Sequence, residues 1–381
     1  MRAGWPSRGR LLVIRLDASG DVLMCTPALH ALRDAGHHVS LLTSSAGALV
    51  GSRCGAVSQV IVFDCPWMKA SASVGSRAVQ TIAETLRVHA FDGAVIMHSY
   101  SQSPLPAAML CHLAGISRQL AYCRENPYQL ITDWLAESEP ESLCRHEVQR
   151  QLDLVGVLCA AAVDTSLRLT VTADDHTAAD KALAALGLGK TAGKTDDFIL
   201  VHPGASAESR RYPLASLQAV IRQLRLETAL PLVLTGGPSD TAALSAMRTA
   251  AGSACAGIAS DLDFGGLAAL IARARLLIAN NSAPAHLAAA MQTPVVAMYA
   301  LTNPQHTPWQ VPSEVIFNPV PCAPCYRSAC PMAHHACLAG VSPSQITAAA
   351  IRLLASTDMR QQIRSENTAA VNAGQRHGRS R

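Results

Sequence analysis

Short apolar runs alternate along this chain with longer segments whose apolar residues recur every three to four positions, and the whole alternation occurs twice. In the first stretch LLVIRL (11–16) reads as a strand, DASGD as a turn and VLMCTPALHALR as a helix. VSLLTS (39–44) and VIVF (60–63) are further strands, residues 77–88 a helix, GAVIMH (93–98) a strand, 104–115 a helix and 146–162 a long amphipathic helix. The second stretch runs FILVHPG (198–204), helix LASLQAVIRQLR, strand LPLVLTGG (230–237), helices SDTAALSAMRTAA and FGGLAALIARAR, strand LLIAN (276–280), helix PAHLAAAMQ and strand PVVAMYA (294–300). Strands alternating with helices predict an α/β chain of two doubly wound, Rossmann-like parallel sheets, each covered on both faces.

GLGKTAGKTDD (187–197) lacks apolar periodicity and reads as a linker. The expected domains are therefore 1–186 and 198–363, with 364–381 a disordered polar tail. Ligands of such sheets bind beyond the carboxyl ends of the strands, which predicts a site in an interdomain cleft. Two complete domains make a monomer sufficient.

Composition narrows the function classes. With 381 residues, 49% hydrophobic and 15% charged, the chain suits a filled interior, and aromatics at 4% argue against a stacking platform for single-stranded nucleic acid. The net charge of +4 is mild. No apolar run reaches the ~20 residues that span a bilayer, and Arg15 and Asp17 interrupt the first run too early for a signal peptide. The expectation is a cytoplasmic protein. Eight of the twelve cysteines are scattered singly through apolar segments, as core residues of a reducing compartment.

The strand-to-helix turns carry the candidate chemistry. In DASGDVL, Gly20 permits a close backbone approach, and Asp21 at the helix entrance reads either as a cap or as a general base. GxGxxG is absent. In HPGASAESRRYP, Gly204 and Ser206 offer backbone N–H groups and Arg210 and Arg211 offer guanidinium forks for phosphate, against the plainer reading of a solvated basic loop. In TGGPSD, Asp240 caps a helix or accepts from a diol. In ANNSAPAHLAAA, Asn281, Ser282 and Ala283 precede Pro284, leaving a bare helix start for phosphate with His286 in its first turn. Three anion-friendly turns in one domain point to a nucleotide diphosphate.

LLVIRLDASGDVLMCTPALHALR, VHPGASAESRRYP, LVLTGGPSD and NNSAPAHLAAAMQTPVVAMY occur in the order seen in glycosyltransferase family 9, the heptosyltransferase-like enzymes, and the likeness runs from about residue 11 to 355. FDGAVIMHSYSQSPLPAAMLCHLAGI and CAPCYRSACPMAHHACLAGVSPSQI also resemble family segments. The resemblance implies a GT-B fold with an N-terminal acceptor domain, a C-terminal donor domain, and inversion without a metal. It makes Asp21 the base and places Ser206 and Arg210 at the donor phosphates, where relatives carry a lysine at the second position. Asp240 falls near the nucleoside, and His286 matches a family histidine. The implied donor is a nucleotide diphosphate sugar such as ADP-heptose, without a further cofactor. The implied acceptor is a lipid-linked saccharide, with peripheral contact at the inner membrane and no nucleic acid partner. One departure stands out: Asn281-Ser282-Ala283 replaces the relatives' Asp-Thr-Gly, whose aspartate meets the donor sugar.

His98, Tyr100 and Gln102 follow a first-domain strand and are candidates for the acceptor side together with Gly20. Cys322, Cys325, Cys330 and Cys337, with His334 and His335 among them, read as a structural metal site or as reduced thiols, and no catalytic metal is assigned. Asp261 and Asp263 form a DxD that precedes a helix and reads as capping. A nucleotide-sugar epimerase of similar build and a non-catalytic nucleotide-sugar-binding protein are the alternatives to a transferase.

Overall fold

The opening apolar run becomes β1 (Arg10–Arg15), in which Leu11, Leu12, Val13 and Ile14 are all buried. A strand covered on both faces belongs in the middle of a parallel sheet, and each such side chain taken out of water contributes about 1.5–3 kcal/mol. The computed structural model describes residues 4–68, 75–141, 144–191, 194–195, 197–252, 255–300 and 304–356. The chain falls into two compact units, Met1–Thr172 with Asn303–Trp309 and Ala173–Thr302 with Gln310–Arg381.

In the first unit β1 leads into α1 (Ser19–Asp34), followed by β2 (His38–Thr43), α2 (Ser45–Gly51), β3 (Val57–Val62), α3 (Ser76–His89), β4 (Gly93–Ile96) and α4 (Leu105–Leu113). Then come β5 (Gln119–Cys123), β6 (Asp133–Ala136) and α5 (Glu147–Val155). The sheet order is β3-β2-β1-β4-β5-β6, parallel throughout.

The second unit begins with α6 (Ala173–Ala184) and a small antiparallel ladder of β7 (Lys190–Thr191) and β8 (Lys194–Thr195). Next are β9 (Ile199–His202), a 3-10 turn at Glu208–Arg210, α7 (Leu214–Glu227), β10 (Leu232–Leu234), a 3-10 turn at Pro238–Asp240, and α8 (Thr241–Ala251). β11 (Gly257–Ile258), α9 (Phe264–Arg273), β12 (Leu276–Asn280), α10 (Ala283–Met291), β13 (Val295–Met298), β14 (Ser313–Ile316) and α11 (Ala336–Ala339) follow, then helical residues 343–356. The order β11-β10-β9-β12-β13-β14 repeats that of the first sheet.

Several expectations need correction. The division falls before residue 173 rather than in 187–197, because α6 packs on α9 and Asp180 pairs with Arg273 at 2.6 Å. β5, β6, β11 and β14 were not read from the sequence, and the helix expected over 146–162 stops at Val155, where Gly156 forms the C-cap. Of the eight scattered cysteines Cys144 is exposed, whereas Cys25 and Cys111 are buried thiols that burial pushes up to about 12. Asp263 caps α9, accepting from the Gly266 N–H at 2.7 Å, so the DxD is a helix start. The tail 364–381 lies outside the described residues.

In each sheet the strand order reverses at the centre, between β1 and β4 and between β9 and β12. Connections leave such a pair of strands in opposite directions and open a crevice at their carboxyl ends. The turns after β1, β4, β9 and β12 border these switch points and are the candidate positions for ligand-facing side chains.

Candidate active site

At the first switch point the last residue of β1, Arg15, is fully buried and addresses three carboxylates. Its Nη1 donates to Glu147 Oε1 at 2.6 Å, its Nη2 to Asp21 Oδ1 at 3.3 Å, and its Nε lies 2.7 Å from Asp17 Oδ2. A buried guanidinium persists only when opposite charge surrounds it. Asp21 is the third residue of α1; the helix is capped by Ala18 with no side-chain hydrogen bond, so Asp21 is held by Arg15 at the sheet end while its side chain keeps 23% exposure. The carboxylate is thus held at a buried guanidinium and remains partly exposed.

Around it a second ring of charge is buried. Glu147 also accepts from Gln151 Nε2 at 2.8 Å. Burial alone would raise its pKa, yet Arg15, Arg150 and His306 bring it down to about 2. Arg150 donates through Nε and Nη2 to Glu137 and through Nη1 to the His98 carbonyl, and its guanidinium lies over the Tyr122 ring, 4.7 Å from the centroid. Asp17, 10% exposed, accepts from Gln102 Nε2 at 2.6 Å. Its pKa is pushed up by burial and by Asp21 and Glu147, while Arg15 and Gln102 oppose the rise.

Two acceptor candidates lie buried in the turn after β4. His98 is buried with ring nitrogens 2.8 Å from the Ser99 carbonyl and 2.9 Å from the Tyr122 carbonyl, and burial and then Arg150 depress its pKa. Both ring nitrogens face backbone carbonyls, and the neutral imidazole donates to one of the two. Tyr100 is buried and its carbonyl is held by Arg124 Nη2 at 3.0 Å, which makes it part of the same turn. Gly20 lies buried in the first turn of α1, where its backbone shapes the approach to Asp21.

At the second switch point Asn280, the last residue of β12, ties the turns together. Its Oδ1 accepts from the Tyr212 N–H at 3.0 Å, and its Nδ2 donates to the Pro203 carbonyl at 2.6 Å and the Gly204 carbonyl at 3.4 Å. Ser282, the N-cap of α10, makes no side-chain cap; its Oγ turns back to the Gly204 carbonyl at 3.4 Å. The start of α10 thus lies beside the Gly204 turn without a side-chain cap, its Ala285 N–H donating to the Ser282 carbonyl at 3.0 Å, with His286 buried in the first turn. Asn281 donates its backbone N–H to Met298. Asp240 is buried and accepts from the Gly237 N–H at 3.0 Å, and it leans on Gly204. A Cβ at 204 would stand 2.4 Å from Asp240 Oδ2.

The adjacent arginines differ. Arg211 Nε donates to the Ala205 carbonyl at 2.9 Å, whereas Arg210 Nε is buried without a hydrogen-bond partner among the described residues. The 3-10 turn that carries Arg210 is pinned to the cysteine-rich segment: Ser209 N donates to the Ser328 carbonyl at 3.0 Å and Ser209 Oγ to the Arg327 carbonyl at 2.7 Å. Ser206 is exposed at the tip of the same loop.

Comparison with known proteins decides the identity. The sequence model of glycosyltransferase family 9 (heptosyltransferase) matches residues 79–336, well over half of the chain. The chain belongs to glycosyltransferase family 9. It is 34% identical over 86 residues to lipooligosaccharide heptosyltransferase 2 of Campylobacter jejuni, covering 22% of this chain and 27% of that protein. It is 29% identical over 176 residues to lipopolysaccharide heptosyltransferase 3 of Escherichia coli, covering 45% and 48%. The chain thus spans less than half the length of these curated relatives. Among solved structures, a family 9 glycosyl transferase from Veillonella parvula superposes with a TM-score of 0.74 at 21% identity, covering 91% of this chain and 98% of that one. The E. coli ADP-heptose lipopolysaccharide heptosyltransferase II gives 0.68 at 20%, covering 92% and 99%. The fold is therefore the expected GT-B class, in which both units are doubly wound α/β sheets.

In this family 9 chain the cysteine-rich segment supports the Glu208–Arg210 turn through Arg327 and Ser328. Among the described residues no group of three or more His, Cys, Asp and Glu side chains is arranged to hold a metal ion. Gly204 gives a direct check on the second turn. Gly204→Ala is expected to destabilise the second unit by about 1–3 kcal/mol through the clash with Asp240. In an Asp240→Ala background, where the obstructing carboxylate is gone, the same change should cost less than half as much in chemical unfolding.

Proposed function

We propose that this chain is an inverting, metal-independent transferase that moves heptose or a related sugar from a nucleotide diphosphate donor to a lipid-linked saccharide of the bacterial envelope. Family membership supports the reaction class, and the names of the curated relatives support a lipopolysaccharide-type acceptor. The observation that carries the chemistry is Asp21: a carboxylate at a switch point, in contact with a buried arginine and 23% exposed.

In the proposed reaction Asp21 takes the proton of an acceptor hydroxyl as that oxygen attacks the anomeric carbon from the face opposite the diphosphate. The leaving diphosphate accumulates charge, met by Arg210, the backbone at Gly204 to Ser206 and the α10 start from Ser282 to His286. Asp240, fixed against Gly204, lies on the nucleoside side. The Asn281 amide has no charge to offer the donor sugar and holds it by neutral hydrogen bonds. No helix among the described residues is long and apolar enough to cross a membrane. The reading places the protein on the cytoplasmic face of the inner membrane, where it meets its lipid acceptor peripherally.

The contrast between adjacent arginines tests the donor assignment. Arg210→Ala should raise the donor KM by about 10- to 100-fold, the worth of one charge-assisted hydrogen bond. Arg211→Ala, which loses only a backbone tie, should stay within about threefold. Equal effects would reject the phosphate role of Arg210. The donor itself is read by titrating ADP-heptose against UDP-, GDP- and CMP-linked sugars, with ADP-heptose expected to bind tightest.

A further inference from the structure

The segment 304–309 belongs to the first unit although the chain on either side of it belongs to the second. It is anchored at Gln305, Thr307 and Trp309. The Gln305 carbonyl accepts from the Glu147 N–H at 3.1 Å, and the Gln305 amide, buried, donates to Glu139. The Thr307 carbonyl lies 2.8 Å from His146 Nε2, and Trp309 Nε1 donates to the Thr165 carbonyl at 2.7 Å. The Trp309 ring packs on His146 with centroids 4.5 Å apart. His146 accepts the Val148 N–H at Nδ1, so Nε2 is the nitrogen that donates to Thr307; burial first, and His306 among the lesser causes, brings its pKa down to about 4. Between these anchors stands His306, 12% exposed, with Nδ1 3.8 Å from Asp21 Oδ1.

We propose that His306 is a positioning residue for the base: it supplies a second cation beside Asp21 and, with Arg15, holds the carboxylate ionised and fixed in plane. Arg15 Nη2 and His306 Nδ1 approach the same oxygen, Oδ1, from β1 and from the 304–309 segment. Fixing one oxygen from two directions sets where Oδ2 lies, and therefore the direction from which an acceptor hydroxyl is deprotonated. Among the described residues the titratable groups recorded against His306 are Asp21 on α1 and Glu147 and His146 at the start of α5, and Arg15 on β1 contacts both Asp21 and Glu147. A cation at position 306, so close to the carboxylate, lowers the pH at which Asp21 becomes a base. A packing role for His306 predicts no such shift. The proposal rests on Asp21 being the base.

The test is the pH profile of kcat at saturating donor and acceptor for wild type, His306→Ala, His306→Gln and His306→Lys. The acid limb should rise by about 0.5–1 pH unit in both His306→Ala and His306→Gln, with the plateau lowered about 3- to 10-fold. His306→Lys should return the limb to within about 0.2 unit of wild type. An unmoved limb in the two neutral variants, or a lysine variant that behaves like them, overturns the role of His306. Wild-type turnover in Asp21→Asn would instead overturn the base assignment and this proposal with it. A dead Asp21→Asn beside an unmoved His306→Ala limb removes only the part played by His306.

Discussion

Asp21→Asn is expected to lower kcat by ~10²–10⁴, the usual contribution of a positioned general base, while donor affinity stays within about twofold. The amide keeps the shape of the carboxylate and its contact with Arg15 at Oδ1, so the fold of the turn should persist. What it loses is the ability to take a proton. The split matters because the donor-side groups (Gly204, Arg210 and the α10 start) belong to the second unit, which the substitution does not touch. Steady-state kinetics with the donor Kd measured separately gives both numbers. A fall in donor affinity equal to the fall in turnover would mean that Asp21 binds donor, and near-normal turnover would mean that it does no chemistry.

The second large effect is on stability. Arg15→Met leaves Asp17, Asp21 and Glu147 without the guanidinium they share. Removing one partner of a buried ion pair strands the other, at a cost of about 3–5 kcal/mol. The loss should appear in the unfolding transition of the first unit. Combining Arg15→Met with Glu147→Gln should cost less than the sum of the single changes, because the two residues contact one another.

The same network predicts acid lability, and the sign follows from Glu147. Its folded pKa, about 2, lies below the ordinary carboxylate value, so the unfolded chain binds the proton more readily. The stabilisation is complete above roughly pH 5 and is lost as pH falls towards the folded value. Asp17, whose pKa is raised, works in the opposite direction and makes the net slope shallower. Glu147→Gln should therefore be less stable than wild type at neutral pH and lose less on acidification. A wild-type protein equally stable at pH 3 and pH 7 would contradict this assignment of charge.

Both central sheets and their turns were legible because β9 and β12 are short apolar runs closed by His-Pro-Gly or Asn, and β1 is an apolar run broken only by Arg15 before Asp17. β5 and β6 were not legible: QLAYC and DWLA are short, and neither is flanked by a clear helical repeat. Asp21, Gly204, Arg210 and Ser282 stood out as polar or flexible residues at strand ends, where the fold does place them. Arg15 was hidden for the opposite reason. In the sequence it only interrupts an apolar run, and its three carboxylate partners become visible once α1 and α5 pack together. Asn280 was overshadowed by Asn281, although the even register of β12 turns the amide of 280 towards the Pro203–Gly204 turn. His306 carries no local signal, since only a fold that returns residues 303–309 to the first unit puts it beside Asp21. His98 was legible as a histidine closing a strand, but its burial between the Ser99 and Tyr122 carbonyls was not.

Hydrogen–deuterium exchange with and without a nucleoside diphosphate tests most directly where the donor is held. Bound nucleotide should slow exchange at residues 204–206 and 283–286, excepting Pro284, and leave 17–22 and 98–102 as they were. Protection confined to the turns after β1 and β4, with the Gly204 loop and the α10 start unchanged, would place the nucleotide in the wrong unit and contradict the account.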